Sequence, residues 1–134
     1  MVEQGSAPVE VAHLVRRTMM LPAPQNRALE ALATARKINA NDIVSQALAS
    51  TVQHVEGLNP DERKDFFAES TVKANNARQK AEEQERIIMG AAYQRRTLML
   101  PVPLEASIAK IAHQGGITPH TLITSAISQR LQQR

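Results

Sequence analysis

The chain has no cysteine, so neither a disulfide nor a thiolate metal site can staple it. That suits a reducing compartment, and a cytoplasmic location is expected. Aromatic residues make up only 2 % of the 134, and tryptophan is missing altogether. The core must then be assembled from Leu, Ile, Val, Met and Ala, as in a small helical protein. No apolar run approaches the roughly 18 residues that a membrane-spanning helix needs, so no membrane partner is expected. Glu3 and Glu10 stand where a secretion signal would carry a basic start and a long apolar stretch. Signatures of chemistry are also scarce. His13, His54, His113 and His120 lack ligand spacing and have no Cys to join. There is no Gly-x-Ser-x-Gly and no phosphate loop, and Glu82, Glu83 and Glu85 read as a solvated helix face. An enzyme, a cofactor and a small-molecule substrate are therefore not expected.

What the chain does have is a repeat. Arg16-Arg17-Thr18-Met19-Met20-Leu21-Pro22 returns as Arg95-Arg96-Thr97-Leu98-Met99-Leu100-Pro101, at an offset of 79 residues. The match continues without a gap: Pro24 with Pro103, Leu29 with Ile108, Leu32 with Ile111, Ala33 with Ala112, Ile38 with Ile117, Ala47 with Ala126 and Gln53 with Gln132. Internal repetition fixes the architecture before any finer reading does. Each copy predicts a short strand followed by two amphipathic helices split by a turn.

In order, residues 1–8 are small and polar and are expected to be disordered. Val9–Val15 leads into the first strand, so copy one spans 9–55. Alternation along the strand puts Arg16, Thr18 and Met20 on one face and Arg17, Met19 and Leu21 on the other. In copy two, residues 93–134, the faces are Arg95, Thr97, Met99 and Arg96, Leu98, Leu100. The second set of each pair is the more apolar and is placed inward; a one-residue slip would reverse this. Pro22 and Pro24 end the first strand, and Pro24 suits the first turn of a helix. Gly115-Gly116 ends the corresponding helix of copy two, where copy one has the costlier Arg36-Lys37. Asn39, with an acid three residues on, and Thr118, followed by Pro119, cap the second helices.

Residues 56–92 connect the copies. From Asp61 to about Met89 the chain is charged and free of Pro and Gly, which predicts a long solvated helix. Phe67, Ala74, Ala81 and Ile88 fall seven apart, too thin a stripe for a coiled coil. The helix is expected to lie across the domain or to space the two copies.

A lone strand with two helices cannot bury its apolar face, but two such units can pair their strands into a ribbon over four helices. The order strand, proline, helix, capped turn, helix resembles the ribbon-helix-helix family of DNA-binding proteins, over residues 14–55 and 93–133. Some members read the major groove with a two-stranded ribbon. The resemblance implies a mainly α fold with a two-stranded antiparallel β-ribbon, a tandem ribbon-helix-helix with an intervening long helix. It further implies base contacts from Arg16, Thr18, Met20, Arg95, Thr97 and Met99. Phosphate contacts are implied for Asn39, Ala40, Asn41, Thr118 and His120 at the starts of the second helices. Arg17, Lys37 and Arg96 could steer phosphates as well. Pro119 has no N–H, which removes one donor from that half of the clamp.

The expected partner is double-stranded DNA at an inverted-repeat site, with self-association through exchanged strands left open. Net charge is +3. Residues 95–134 hold five basic groups against one acidic, and residues 55–94 hold six against eight. Residues 1–54 hold five basic groups against four acidic, so basic charge sits in the repeats and the connecting segment is mildly acidic, which permits nucleic-acid binding without requiring it. Transcriptional regulation is the favoured use. Accessory binding near a plasmid transfer origin shares the same chemistry, and a helical protein–protein adaptor is the rival from another class.

Overall fold

In the computed structural model, residues 13–88 and 90–133 are described, the side chains of 86–88 excepted. The expectations for residues 1–8 and the approach at 9–12 lie outside the described residues, as does the Ile88 side chain of the seven-residue stripe. The chain runs β1 (Leu14–Pro22), α1 (Ala23–Arg36), α2 (Ala40–Glu56), α3 (Pro60–Ile88), β2 (Tyr93–Pro101), α4 (Val102–Gly115) and α5 (Pro119–Gln132). It is mainly helical with one two-stranded antiparallel sheet. Both strands are longer than the sequence alternation marks out, because Leu14 pairs with Pro101 and Pro22 with Tyr93. Proline is tolerated at these positions because a two-stranded ribbon has only edges.

The ribbon register reveals a pseudo-twofold. Thr18 pairs with Thr97, and these two are also 79 residues apart, the repeat offset. They are the one ribbon pair that the repeat itself relates, so the axis relating the copies passes between them. The same axis relates two bonds beyond the strands. Ala23 N donates to Ala92 O at 2.8 Å, and its equivalent Val102 N donates to His13 O at 3.2 Å. Neither α1 nor α4 has a side-chain cap; the first N–H of each is satisfied instead by the run-in to the other copy's strand.

Met19, Leu21, Leu98 and Leu100 are buried on the inner face of the ribbon. Beneath them lie Leu29 and Leu32 of α1, Ile43, Val44 and Leu48 of α2, Ile108 and Ile111 of α4, and Leu122, Ile123 and Ile127 of α5. Each first helix also packs on the other copy's second helix, α1 on α5 and α4 on α2. The copies therefore share one core, the arrangement that lets a unit too small to bury its own face become stable.

Capping follows the sequence closely. Asn39 accepts from Asn41 N at 2.7 Å and Thr118 from Thr121 N at 3.0 Å. At the start of α3, Asn59 and Glu62 exchange reciprocal bonds of 2.9 Å, a full capping box. Gly116 takes the left-handed conformation at φ 67°, and Lys37, its counterpart, does so at φ 57°. A side chain in that conformation costs about 1–2 kcal/mol. Lys37→Gly is accordingly expected to raise stability by up to about 1 kcal/mol after the added backbone entropy of glycine, read as a rise in Tm.

Of the two roles open to α3, it takes the first. The helix lies across the fold, chiefly along α5, with Ser70, Ala74 and Ala81 buried. Nothing equivalent covers α2 among the described residues, so α3 breaks the pseudo-twofold. No helix of the described residues is long and apolar enough to cross a membrane.

Candidate nucleic-acid interface

The outer face of the ribbon carries Arg16, Thr18 and Met20 from β1 and Arg95, Thr97 and Met99 from β2. All are exposed except Met99, which is half-buried. The face assignment made from alternation is the one the structure shows. In register, Arg16 lies opposite Met99 and Arg95 opposite Met20, with Thr18 and Thr97 between them. The two threonine hydroxyls meet at 3.1 Å. Each end of the ribbon thus offers one guanidinium and one thioether, and the centre offers two hydroxyls. Met20 keeps 46 % of its surface exposed, a large apolar side chain that the fold leaves outside. Arg16 and Arg95 form no ion pair among the described residues.

Arg17 and Arg96 behave differently. They sit on the inner face, and each reaches the same position of the other copy's first helix. Arg17 forms an ion pair with Glu105, its Nε donating to both carboxylate oxygens at 3.1 and 3.2 Å. Arg96 donates through Nε to Asn26 Oδ1 at 2.5 Å and forms an ion pair with Glu30. Asn26 and Glu105 are equivalent under the repeat. These braces tie α1 and α4 to the opposite strands, so both half-buried guanidiniums are committed to partners within the chain. Neither is counted among the phosphate contacts proposed below.

The starts of α2 and α5 lie at opposite ends of the ribbon, and each holds the backbone of the other copy's strand. Asn41 takes both polar groups of Met99: its Oδ1 accepts from Met99 N at 2.8 Å and its Nδ2 donates to Met99 O at 3.0 Å. At the equivalent place His120 holds Met20, with Nε2 2.7 Å from the carbonyl oxygen. Met20 and Met99 are themselves equivalent, so the two clamps are one device built with different residues. They tie each helix N-terminus to an outward-facing strand residue. Asn39 and Thr118 are the exposed caps of these termini, Ala40 is half-buried, and Lys37 is exposed close by. Position 40 keeps its N–H, whereas its counterpart Pro119 has none.

Sequence reasoning did not find the residues that α3 brings to this surface. Arg78 Nη2 lies 3.2 Å from His120 Nδ1 and donates to Thr121 Oγ1 at 3.0 Å. Tyr93 OH donates to Glu82 at 3.0 Å, and Ala92 N donates to Glu85 at 3.1 Å. Burial, and then the bond to Glu82, hold the Tyr93 phenol above its ordinary pKa, which keeps its proton on the donor. The one available signal was the run of charged residues at 78–85, which also suits a solvated face. Among the described residues, no three side chains gather as a metal site would require.

No protein family, no curated protein and no solved structure matches this chain. Its own geometry therefore carries the functional reading.

Proposed function

We propose that the chain is a tandem ribbon-helix-helix protein that binds a specific double-stranded DNA site and acts as a transcriptional regulator. One observation carries this reading: an exposed, pseudo-symmetric ribbon face with the same Arg-Thr-Met triplet on both strands. A two-stranded ribbon fits the major groove. Arginine can bond guanine O6 and N7 together, threonine can reach a base edge, and the methionine thioether can lie on a thymine methyl.

The Thr18–Thr97 axis would sit on the dyad of an inverted repeat, with Arg16 and Met99 in one half-site and Arg95 and Met20 in the other. The starts of α2 and α5 would flank the ribbon and receive the phosphate backbone at Asn39–Asn41 and at Thr118–His120, with Lys37 adding charge. A single chain would thereby supply what two subunits would otherwise have to assemble.

Gel shifts on duplex fragments at two salt concentrations separate this from a protein–protein adaptor. The proposal expects affinity to fall on the order of 10³-fold between 50 and 200 mM salt, if about six phosphates are neutralised. An adaptor would give no specific shift at either concentration.

A further inference from the structure

We infer that Arg78, on the connecting helix, is a positioning residue that fixes one end of the ribbon and makes the two half-sites unequal in stringency. The functional half of this inference rests on the DNA-binding reading above; the structural half does not.

The inequality begins with a chemical difference between the two clamps. The amide of Asn41 has one acceptor and one donor group, and it uses both on the backbone of Met99. An imidazole cannot do this for Met20. A carbonyl oxygen only accepts, so His120 must carry its proton on Nε2 to make the 2.7 Å contact with Met20 O. That leaves Nδ1 with a lone pair, and Arg78 Nη2 donates to it at 3.2 Å. The same guanidinium nitrogen donates to Thr121 Oγ1 at 3.0 Å, which anchors Arg78 to the start of α5. Arg78 therefore sets both the tautomer and the ring orientation that let His120 hold the strand. Copy one needs no such help, because its amide is complete in itself.

The rest of α3 works on the same end of the ribbon. Glu82 and Glu85 hold Tyr93 and Ala92, and Tyr93 is the ribbon partner of Pro22, two residues beyond Met20. The reading residues at this end are Met20 and, opposite it, Arg95. At the other end, Met99 and Arg16 are held through copy one's own Asn41. The two ends thus present the same side chains on different supports. They read the same bases, but the Arg95–Met20 half depends on the docking of α3 and the Arg16–Met99 half does not.

The test compares the full-length chain with Arg78→Met and with Arg78→Met combined with His120→Asn. The second change places at position 120 the amide that works unaided at position 41. On the protein alone, nitrogen-15 spectra should show His120 protonated on Nε2 in the wild type and mixed between tautomers in Arg78→Met. Exchange of the Leu21 amide, next to the clamped residue, should quicken about tenfold in Arg78→Met, the worth of one or two hydrogen bonds. It should slow again in the double variant. On an inverted repeat selected by the wild type, Arg78→Met should reduce the penalty for base changes about tenfold in the Arg95–Met20 half only, and the double variant should restore it. An unchanged His120 tautomer and an unchanged Leu21 exchange rate in Arg78→Met overturn the positioning role. Equal loss in both halves overturns the inequality. A wild-type chain that selects no duplex defeats the DNA-binding reading and the half-site claim with it, and the spectra then judge the positioning role alone.

Discussion

Replacing Arg16 and Arg95 together with alanine is expected to remove most of the discrimination between the preferred duplex and random DNA. A bidentate contact to guanine is worth about 1–3 kcal/mol of discrimination against the wrong base. The two arginines serve opposite ends of the ribbon, so their effects should add, giving about 2–6 kcal/mol. Each single variant should relax sequence preference in its own half-site only. The fold should not suffer, since both side chains are exposed and form no ion pair among the described residues. Competition titrations of the preferred duplex against random duplex, with thermal denaturation beside them, measure both quantities. Arg17→Ala and Arg96→Ala should behave in the opposite way. Those residues brace α1 and α4 against the strands, so their loss should lower Tm while sequence preference survives. If instead Arg17 and Arg96 governed preference, the ribbon would be reading with its other face.

Gly115→Ala is expected to destabilise the fold by about 1–3 kcal/mol, the usual range for overpacking. The glycine is there for space. A β-carbon at position 115 would lie 2.4 Å from the ring of Phe67, where α3 crosses the end of α4. The three ring atoms it would meet include the one attached to the side-chain stem, so rotation of the ring does not relieve the clash. Either α3 must shift or the helix end must open. Phe67→Leu should recover part of the loss, and a double-mutant cycle in thermal denaturation should show coupling between the two positions. Gly116 is different. A side chain there meets open space but must adopt φ 67°, so Gly116→Ala should cost about 1 kcal/mol from backbone strain, independent of Phe67. Equal stability of Gly115→Ala and the wild type would mean that α3 does not dock against α4 as described.

The features legible from sequence were those that the repeat writes twice. Two aligned heptads mark both strands, and alternation puts Met19, Leu21, Leu98 and Leu100 inside. The cap chemistry of Asn39 and Thr118 and the left-handed Lys37 could be read from residue type and position, because caps are local. The cross-copy contacts were not legible in that way. Arg17 with Glu105 and Arg96 with Asn26 are separated by 88 and 70 residues, and no local pattern announces such pairs. A signal existed all the same: an arginine on an otherwise apolar strand face needs a polar partner, and position 26 with its equivalent 105 supplies one in each copy.

The connecting helix was legible as a helix, but its docking on α5 was not. Its seam is built from Ser70, Ala74 and Ala81, all buried but small. Ala74 and Ala81 belong to the seven-residue stripe, but residues this small let α3 approach α5 closely while leaving the stripe too thin to point to a partner. The polar seam between α1 and α5 was equally silent. Gln25 is buried there and donates to Thr124 O at 3.1 Å and to Ser128 Oγ at 2.7 Å, where copy two has Leu104.

The central claim is that two equivalent triplets on one ribbon face read a site with matching halves. Selecting duplexes from a randomised pool with the full-length chain, and sequencing those retained at 150 mM salt, about physiological strength, tests it most directly. The claim predicts enrichment of an inverted repeat with similar half-sites, each carrying guanine where Arg16 or Arg95 would contact it. A retained pool no different from the input, or one with two unrelated half-sequences, would contradict it.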